Sequence, residues 1–237
     1  MIRIDGLSKK FGARTVLDHI TLRIPAGQAT GIVGPNGSGK TTMIKTILGL
    51  VRPDEGTVTV NGSTLNGHWD YRRDIGYMPQ TGRYPENMTV RELINFIKKV
   101  RQEETADEEQ LIRHFGLEKE QDKRLRVLSG GMRQKTGAVL AMMFDPKILI
   151  LDEPTAGLDP SSSVRLKKLI HEEKKRGKTV LLTTHIMSEI EELADYLVLL
   201  VEGTIRYHGP MNELLDVFRE ERLEEAVAKM LNEEETV

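Results

Sequence analysis

Between Gly34 and Thr41 the chain reads Gly-Pro-Asn-Gly-Ser-Gly-Lys-Thr, which fits the pattern G-x-x-x-x-G-K-[ST]. The pattern works only where a buried strand ends, a tight loop turns and a helix begins. Both flanks meet that demand: QATGIV precedes the loop, and a helical pattern runs from Lys40 to Leu50. Glycines let the backbone close around an anion with no Cβ in the way. Loop N–H groups and the N-terminus of the next helix then point at the charge. Lys40 would neutralise the outer phosphates, and the Thr41 hydroxyl would face Mg²⁺. An ordinary glycine-rich turn is the bland alternative, and the strand–loop–helix context argues against it.

Composition narrows the class further. A chain of 237 residues can bury a sizeable core as one large domain or two small ones. Lys and Arg number 34 against 36 Asp and Glu, so the formal charge is −2, which is not the balance of a general nucleic-acid binder. Cysteine is absent, which excludes disulfides and thiolate metal sites within the chain. The N-terminus lacks the apolar core of a signal peptide. The longest apolar runs, such as AVLAMMF and LVLLV, fall far short of the roughly 20 residues of a membrane helix. A soluble chain is expected, with any membrane role carried by a partner.

The opening third reads as short strands, MIRID, TLRI, QATGIV and GTVTV, with turns at Pro25-Ala26-Gly27 and Asn61-Gly62. Helices follow. Thr89 and Glu92 form a capping-box pattern ahead of a helix whose Leu93, Ile97 and Val100 share one face. Further helices fit 107–115 and 130–144. Strand KILIL, a helix over 161–175, strand TVLLTT, a helix over 187–194 and strand YLVLLV come next. The pattern predicts an α/β nucleotide-binding core with a helical insert over about 81–145, all one functional unit. From Leu214 on the chain is rich in glutamate. It is expected to form one or two exposed, solvated helices with a frayed end, although Leu223, Val227 and Met230 offer a face that docks on the core or on a second copy.

Two more strings carry chemistry. KILILDEP places Asp152 and Glu153 at the C-terminal end of a buried strand, where open α/β sheets bind ligands. Asp152 can hold Mg²⁺ through a water, and Glu153 can orient or deprotonate an attacking water. In Leu128-Ser129-Gly130-Gly131-Met132-Arg133-Gln134, a capping serine and two glycines open a helix, making a second anion site with no phosphate-loop lysine of its own.

Taken in order, the phosphate loop, Gln80, LSGGMRQ, LILDEP, Ala156-Gly157-Leu158-Asp159 and His185 resemble the nucleotide-binding domain of ABC transporters, from Ile2 to about Leu215. The resemblance implies a P-loop NTPase fold with a RecA-like core, an antiparallel β-subdomain and an inserted helical subdomain. It implies ATP and Mg²⁺ held by Gly34, Asn36, Gly37, Ser38, Gly39, Lys40, Thr41 and Thr42, with Phe11 stacking on adenine. Gln80, Thr41 and Asp152 would serve the metal, and Glu153, His185 and Gln80 would serve hydrolysis. Ser129, Gly130, Gly131 and Asp159 would meet the nucleotide bound by a second copy. A homodimer with two composite ATP sites follows, working on a separate multi-pass membrane subunit from the cytoplasmic face. One phosphate loop, one signature string and no long coiled-coil insertion fit this better than tandem or chromosome-maintenance ATPases.

A finer resemblance joins RYPENMTVRELI, Lys135, Phe144-Asp145 and Thr184-His185-Ile186-Met187-Ser188 to the ATPase of the copper-maturation transporter for nitrous oxide reductase, which also works with an extracytoplasmic accessory protein. The same strings suit ABC-2 exporters of drugs, lipids or peptides, and a force-transmitting ATPase that moves no solute. A copper site in this chain is not expected, because its six histidines show no ligand spacing.

Overall fold

A computed structural model describes residues 1–65, 67–104 and 106–234. The chain divides into two compact units, Met1–Tyr71 with the chain from Thr179 onward, and Arg72–Lys178.

In the first unit, β1 (Ile2–Phe11), β2 (Arg14–Ile24), β4 (Glu55–Val60) and β5 (Ser63–Thr64) form an antiparallel sheet in the order β2-β1-β4-β5. Ile2 lies opposite Ile24 and Val60, and Ile4 opposite Leu22 and Val58. All six are buried, because a period of two sends alternate side chains to one face. The same unit holds β3 (Ala29–Val33) in parallel between β8 (Thr179–Thr183) and β9 (Tyr196–Val201), with β10 (Thr204–Pro210) antiparallel to β9. Every residue of β3 and β8 is buried, which is why both read as mostly apolar runs with small threonines and no charge. Helices α1 (Lys40–Ile47), α6 (Met187–Leu193), α7 (Met211–Phe218) and α8 (Leu223–Glu234) complete it.

In the second unit β6 (Ile75–Met78) and β7 (Ile148–Asp152) pair in parallel, from Ile75 with Ile148 to Met78 with Leu151. Among the described residues the unit also holds the α-helices α2 (Val90–Arg101), α3 (Glu108–Phe115), α4 (Gly130–Met142) and α5 (Pro160–Lys175). Helix α4 packs on β6, and α3 packs on α4 and α5. The capping box forms: the Thr89 hydroxyl accepts from Glu92 N at 3.1 Å, and Thr89 N donates to the Glu92 carboxylate at 2.8 Å. Such a cap is worth about 1 kcal/mol.

Several expectations are corrected. Val100 is 63% exposed; the buried face of α2 is Val90, Leu93 and Ile94. Helix α1 stops at Ile47, short of Leu50, because Gly49 turns left-handed at φ 65° and Leu50 N returns to Lys45 O. Helix α4 ends at Met142, ahead of a left-handed Asp145 and Pro146. Strand β10 had no clear signal, since TIRYHGP carries Gly, Pro and charges that only an edge strand tolerates. The tail is not simply solvated. Leu223, Ala226, Val227 and Met230 are buried, α8 packs on α6 and α7, and Leu223 N donates to the Glu191 carboxylate of α6. The expected frayed end, 235–237, lies outside the described residues.

Candidate functional site

The first unit carries the phosphate loop. Gly34 (φ 150°) and Gly39 (φ 110°) occupy backbone conformations that side chains resist. A Cβ at Gly34 would lie 2.0 Å from Leu200 O, and one at Gly39 would lie 2.7 Å from Val16 O. No larger residue fits, because the loop is pressed against the ends of β9 and β2. The Lys40 ammonium donates to Gly34 O at 2.6 Å and Pro35 O at 3.0 Å, so it spans the loop it must neutralise. No side chain caps α1, which leaves first-turn N–H groups at the mouth of the loop. Ser38 is 2% exposed, and its hydroxyl is buried with no hydrogen-bond partner. A buried orphan hydroxyl inside an anion cradle fits a ligand that supplies the missing bond. Asn36, Gly37 and Thr41 are exposed and Thr42 is half-buried.

Two more predicted residues sit in this unit. Phe11 ends β1 with half its surface exposed, and the Lys9 ammonium lies 5.3 Å from its ring centroid. A large aromatic this exposed is available for stacking. His185 is exposed just past β8. The turn that presents it is fixed by Thr184, whose hydroxyl accepts from Ile186 N and donates to the buried Glu189 carboxylate, both at 3.1 Å.

The second unit carries the remainder. Asp152 is the last residue of β7 and is buried. Glu153 follows in a left-handed conformation, φ 51°, which costs a non-glycine residue about 1–2 kcal/mol. Gln134 of α4 holds it there. Its buried amide donates to Glu153 O at 3.0 Å and to Pro154 O at 3.1 Å. Helix α4 starts at the signature string. Ser129 is its N-cap and accepts from Met132 N at 3.2 Å; Ser129 and Gly130 are exposed. A Cβ at Gly131 would sit 2.9 Å from Gly157 O, so α4 approaches the Ala156–Asp159 loop closely. Asp159 caps α5, accepting from Ser162 N at 2.9 Å and Ser162 Oγ at 2.6 Å, and from Lys135 of α4 at 3.3 Å. The Ser162 hydrogen bonds first, then Lys135, hold its carboxyl well below the usual range. Gln80 is exposed two residues past β6.

Helix α4 thus starts at Ser129, carries Gly131, and reaches the Glu153 backbone through Gln134 and Asp159 through Lys135. Gln134 and Lys135 make those links and were not singled out as site residues by sequence reasoning. Gln134 ends LSGGMRQ, so its place in the motif was the only available signal.

A family model described as ABC transporter matches residues 17–156, more than half of the chain. The chain belongs to the ABC transporter family. It is an ATP-binding subunit with the α/β fold of P-loop NTPases and an ATPase activity coupled to transport. The Nod factor export ATP-binding protein I of Ralstonia nicotianae is 34% identical over 220 residues, 91% of this chain and 68% of that protein. A solved ATP-binding subunit of an ABC transporter matches with a TM-score of 0.91 at 32% identity, over 98% of this chain and 99% of that one. The dimeric ATP-binding cassette MJ0796, in a post-hydrolysis state with ADP and Pi, matches with a TM-score of 0.80 at 26% identity, over 89% of this chain and 98% of that one. No helix among the described residues is long and apolar enough to cross a membrane.

Proposed function

We propose that the chain powers an ABC exporter as one of two identical copies that close around ATP and drive a separate multi-pass membrane subunit from its cytoplasmic face. The observation that carries this reading is the helix start at Ser129-Gly130-Gly131, with Ser129 and Gly130 exposed and Gly131 half-buried. It is built for an anion and carries no phosphate-loop lysine of its own. Such a site fits the terminal phosphate of a nucleotide held by another copy. The dimeric MJ0796 cassette with ADP and Pi supports that arrangement. The Nod factor relative, an export ATP-binding protein, supports the direction of transport.

In this reading Phe11 stacks on adenine, and Gly34, Asn36, Gly37, Ser38, Gly39, Lys40, Thr41 and Thr42 hold the phosphates. Thr41, Gln80 and Asp152 offer hard oxygen donors, the chemistry Mg²⁺ prefers; when bound, Mg²⁺ neutralises charge on the phosphate oxygens. Glu153 takes the proton of the attacking water, and His185 and Gln80 hold the terminal phosphate in line. Ser129, Gly130, Gly131 and Asp159 face the partner copy's nucleotide. ATP binding favours the closed dimer, and hydrolysis releases it. The helical insert over 81–145 receives the membrane subunit, and nucleic acid has no part.

Copper-enzyme maturation remains the finer reading of RYPENMTVRELI and its companion strings, with an extracytoplasmic accessory protein as its mark. Glu153→Gln is expected to lose turnover and to elute with ATP at twice the monomer mass, whereas Lys40→Ala stays monomeric and binds no ATP. A Glu153→Gln chain that stays monomeric in ATP refutes the composite sites. The chain purified from detergent-solubilised membranes then names its partner by mass spectrometry. A multi-pass protein alone supports the exporter, and an added extracytoplasmic repeat protein supports copper maturation.

A further inference from the structure

Tyr84 lies between Gln80 and α2, and its ring is seated in a slot cut by two glycines. A Cβ at Gly82 would lie 2.3 Å from Tyr84 Cε2 and 2.6 Å from its hydroxyl oxygen. A Cβ at Gly137 would lie 3.1 Å from the same hydroxyl. Neither glycine has a left-handed φ, so the backbone does not require glycine at either position. What both provide is room. Gly137 is the informative one. It is buried in the middle of α4, where glycine weakens a helix relative to alanine, and the missing methyl faces Tyr84. The burial of the phenol agrees, pushing its pKa up to about 12.

Helix α4 therefore holds three functional segments along its length. Its first turn presents Ser129 and Gly131, Gln134 grips the Glu153 backbone, and Gly137 receives Tyr84, four residues from Gln80. We propose that the seating of Tyr84 against Gly137 makes Tyr84 a positioning residue for hydrolysis, registering the Gln80 loop to the helix that places Glu153 and the signature string. Tyr84 touches no reacting atom; it acts through Gln80. The inference rests on the hydrolytic roles proposed above for Gln80 and Glu153.

Gly137→Ala tests it with opposite signs for fold and turnover. Alanine favours the helix, so thermal unfolding is expected at or above the wild-type temperature. The added methyl would lie 3.1 Å from the hydroxyl and shifts the loop by a few tenths of an ångström, so kcat for ATP falls about two- to tenfold, with KM within twofold because Lys40 and Phe11 are untouched. Adding Tyr84→Phe removes the oxygen that the methyl meets, and the double variant regains at least half of the lost activity on a logarithmic scale. Gly137→Ala with wild-type kcat overturns the proposal, as does a double variant no better than the single one. Should Gly137→Ala unfold early, Tyr84→Ala serves instead: the proposal expects the same kcat loss at constant KM, and wild-type kcat refutes it. Wild-type turnover abolished by Glu153→Gln is measured alongside. If that control fails, the hydrolytic reading fails; if it holds while the Tyr84 result does not, only the positioning role is lost.

Discussion

Replacing Gln134 with leucine removes a side chain that donates to both the Glu153 and Pro154 carbonyls. Gln134 is 7% exposed and donates at 3.0 and 3.1 Å. Leucine has a similar volume, so the packing of α4 is kept while the buried Pro154 carbonyl loses this donor and the half-buried Glu153 carbonyl is left with Ala156 N at 3.2 Å. An unsatisfied buried carbonyl costs about 1–3 kcal/mol, and the apolar side chain offsets the weaker loss at Glu153, for a net loss of about 1–3 kcal/mol. For a chain of this size that lowers Tm by about 2–12 °C. The catalytic effect is separate. Glu153 sits at φ 51° under about 1–2 kcal/mol of backbone strain, and without Gln134 its carbonyl loses the hold of α4. A carboxylate displaced by about 1 Å loses about a hundredfold in rate. Differential scanning calorimetry and a phosphate-release assay at saturating ATP read the two effects, and KM for ATP should change less than twofold. Wild-type Tm together with kcat within a factor of two would refute the reasoning. Full kcat in a destabilised variant would reduce Gln134 to core packing.

Two further outcomes follow from packing and charge. Leu223→Ala empties a fully buried position on α8 and should cost about 2–5 kcal/mol, lowering Tm by several degrees; a merely solvated tail predicts no change by calorimetry. The Asp159 carboxyl is held below its unfolded value, so the stability it adds is present above about pH 4 and drains away only as the pH falls through the depressed value. The gap in urea midpoint between wild type and Asp159→Asn should therefore be constant from pH 8 to about pH 4 and shrink below it. A gap that closes between pH 7 and 5 contradicts the hydrogen bonds from Ser162 and Lys135.

Local pattern carried much of this molecule into the sequence. The phosphate loop needs a strand, a tight turn and a helix within a few residues, and glycines at 34 and 39 mark where a Cβ would strike Leu200 or Val16. The fully buried β3 and β8 announce themselves as apolar runs, and Thr89 with Glu92 marks a helix start, because each signal acts over a handful of neighbours. What sequence reading missed depends on residues far apart in the chain. Val100 continues the spacing of Leu93 and Ile97, yet it is exposed, and periodicity cannot see what packs outside a helix. The glutamates of α8 suggest a solvated tail, whereas α6 and α7 bury its apolar face. Gln134 is one polar residue in a motif until folding brings it to the Glu153 carbonyl, 19 positions away. Gly137 reads as a weak point in a helix until Tyr84 arrives to fill the space. The sequence by itself determined which chemical groups this protein carries and which short elements present them. Only tertiary packing decided which helix holds those groups in register, since that choice is made by contacts no local spacing encodes.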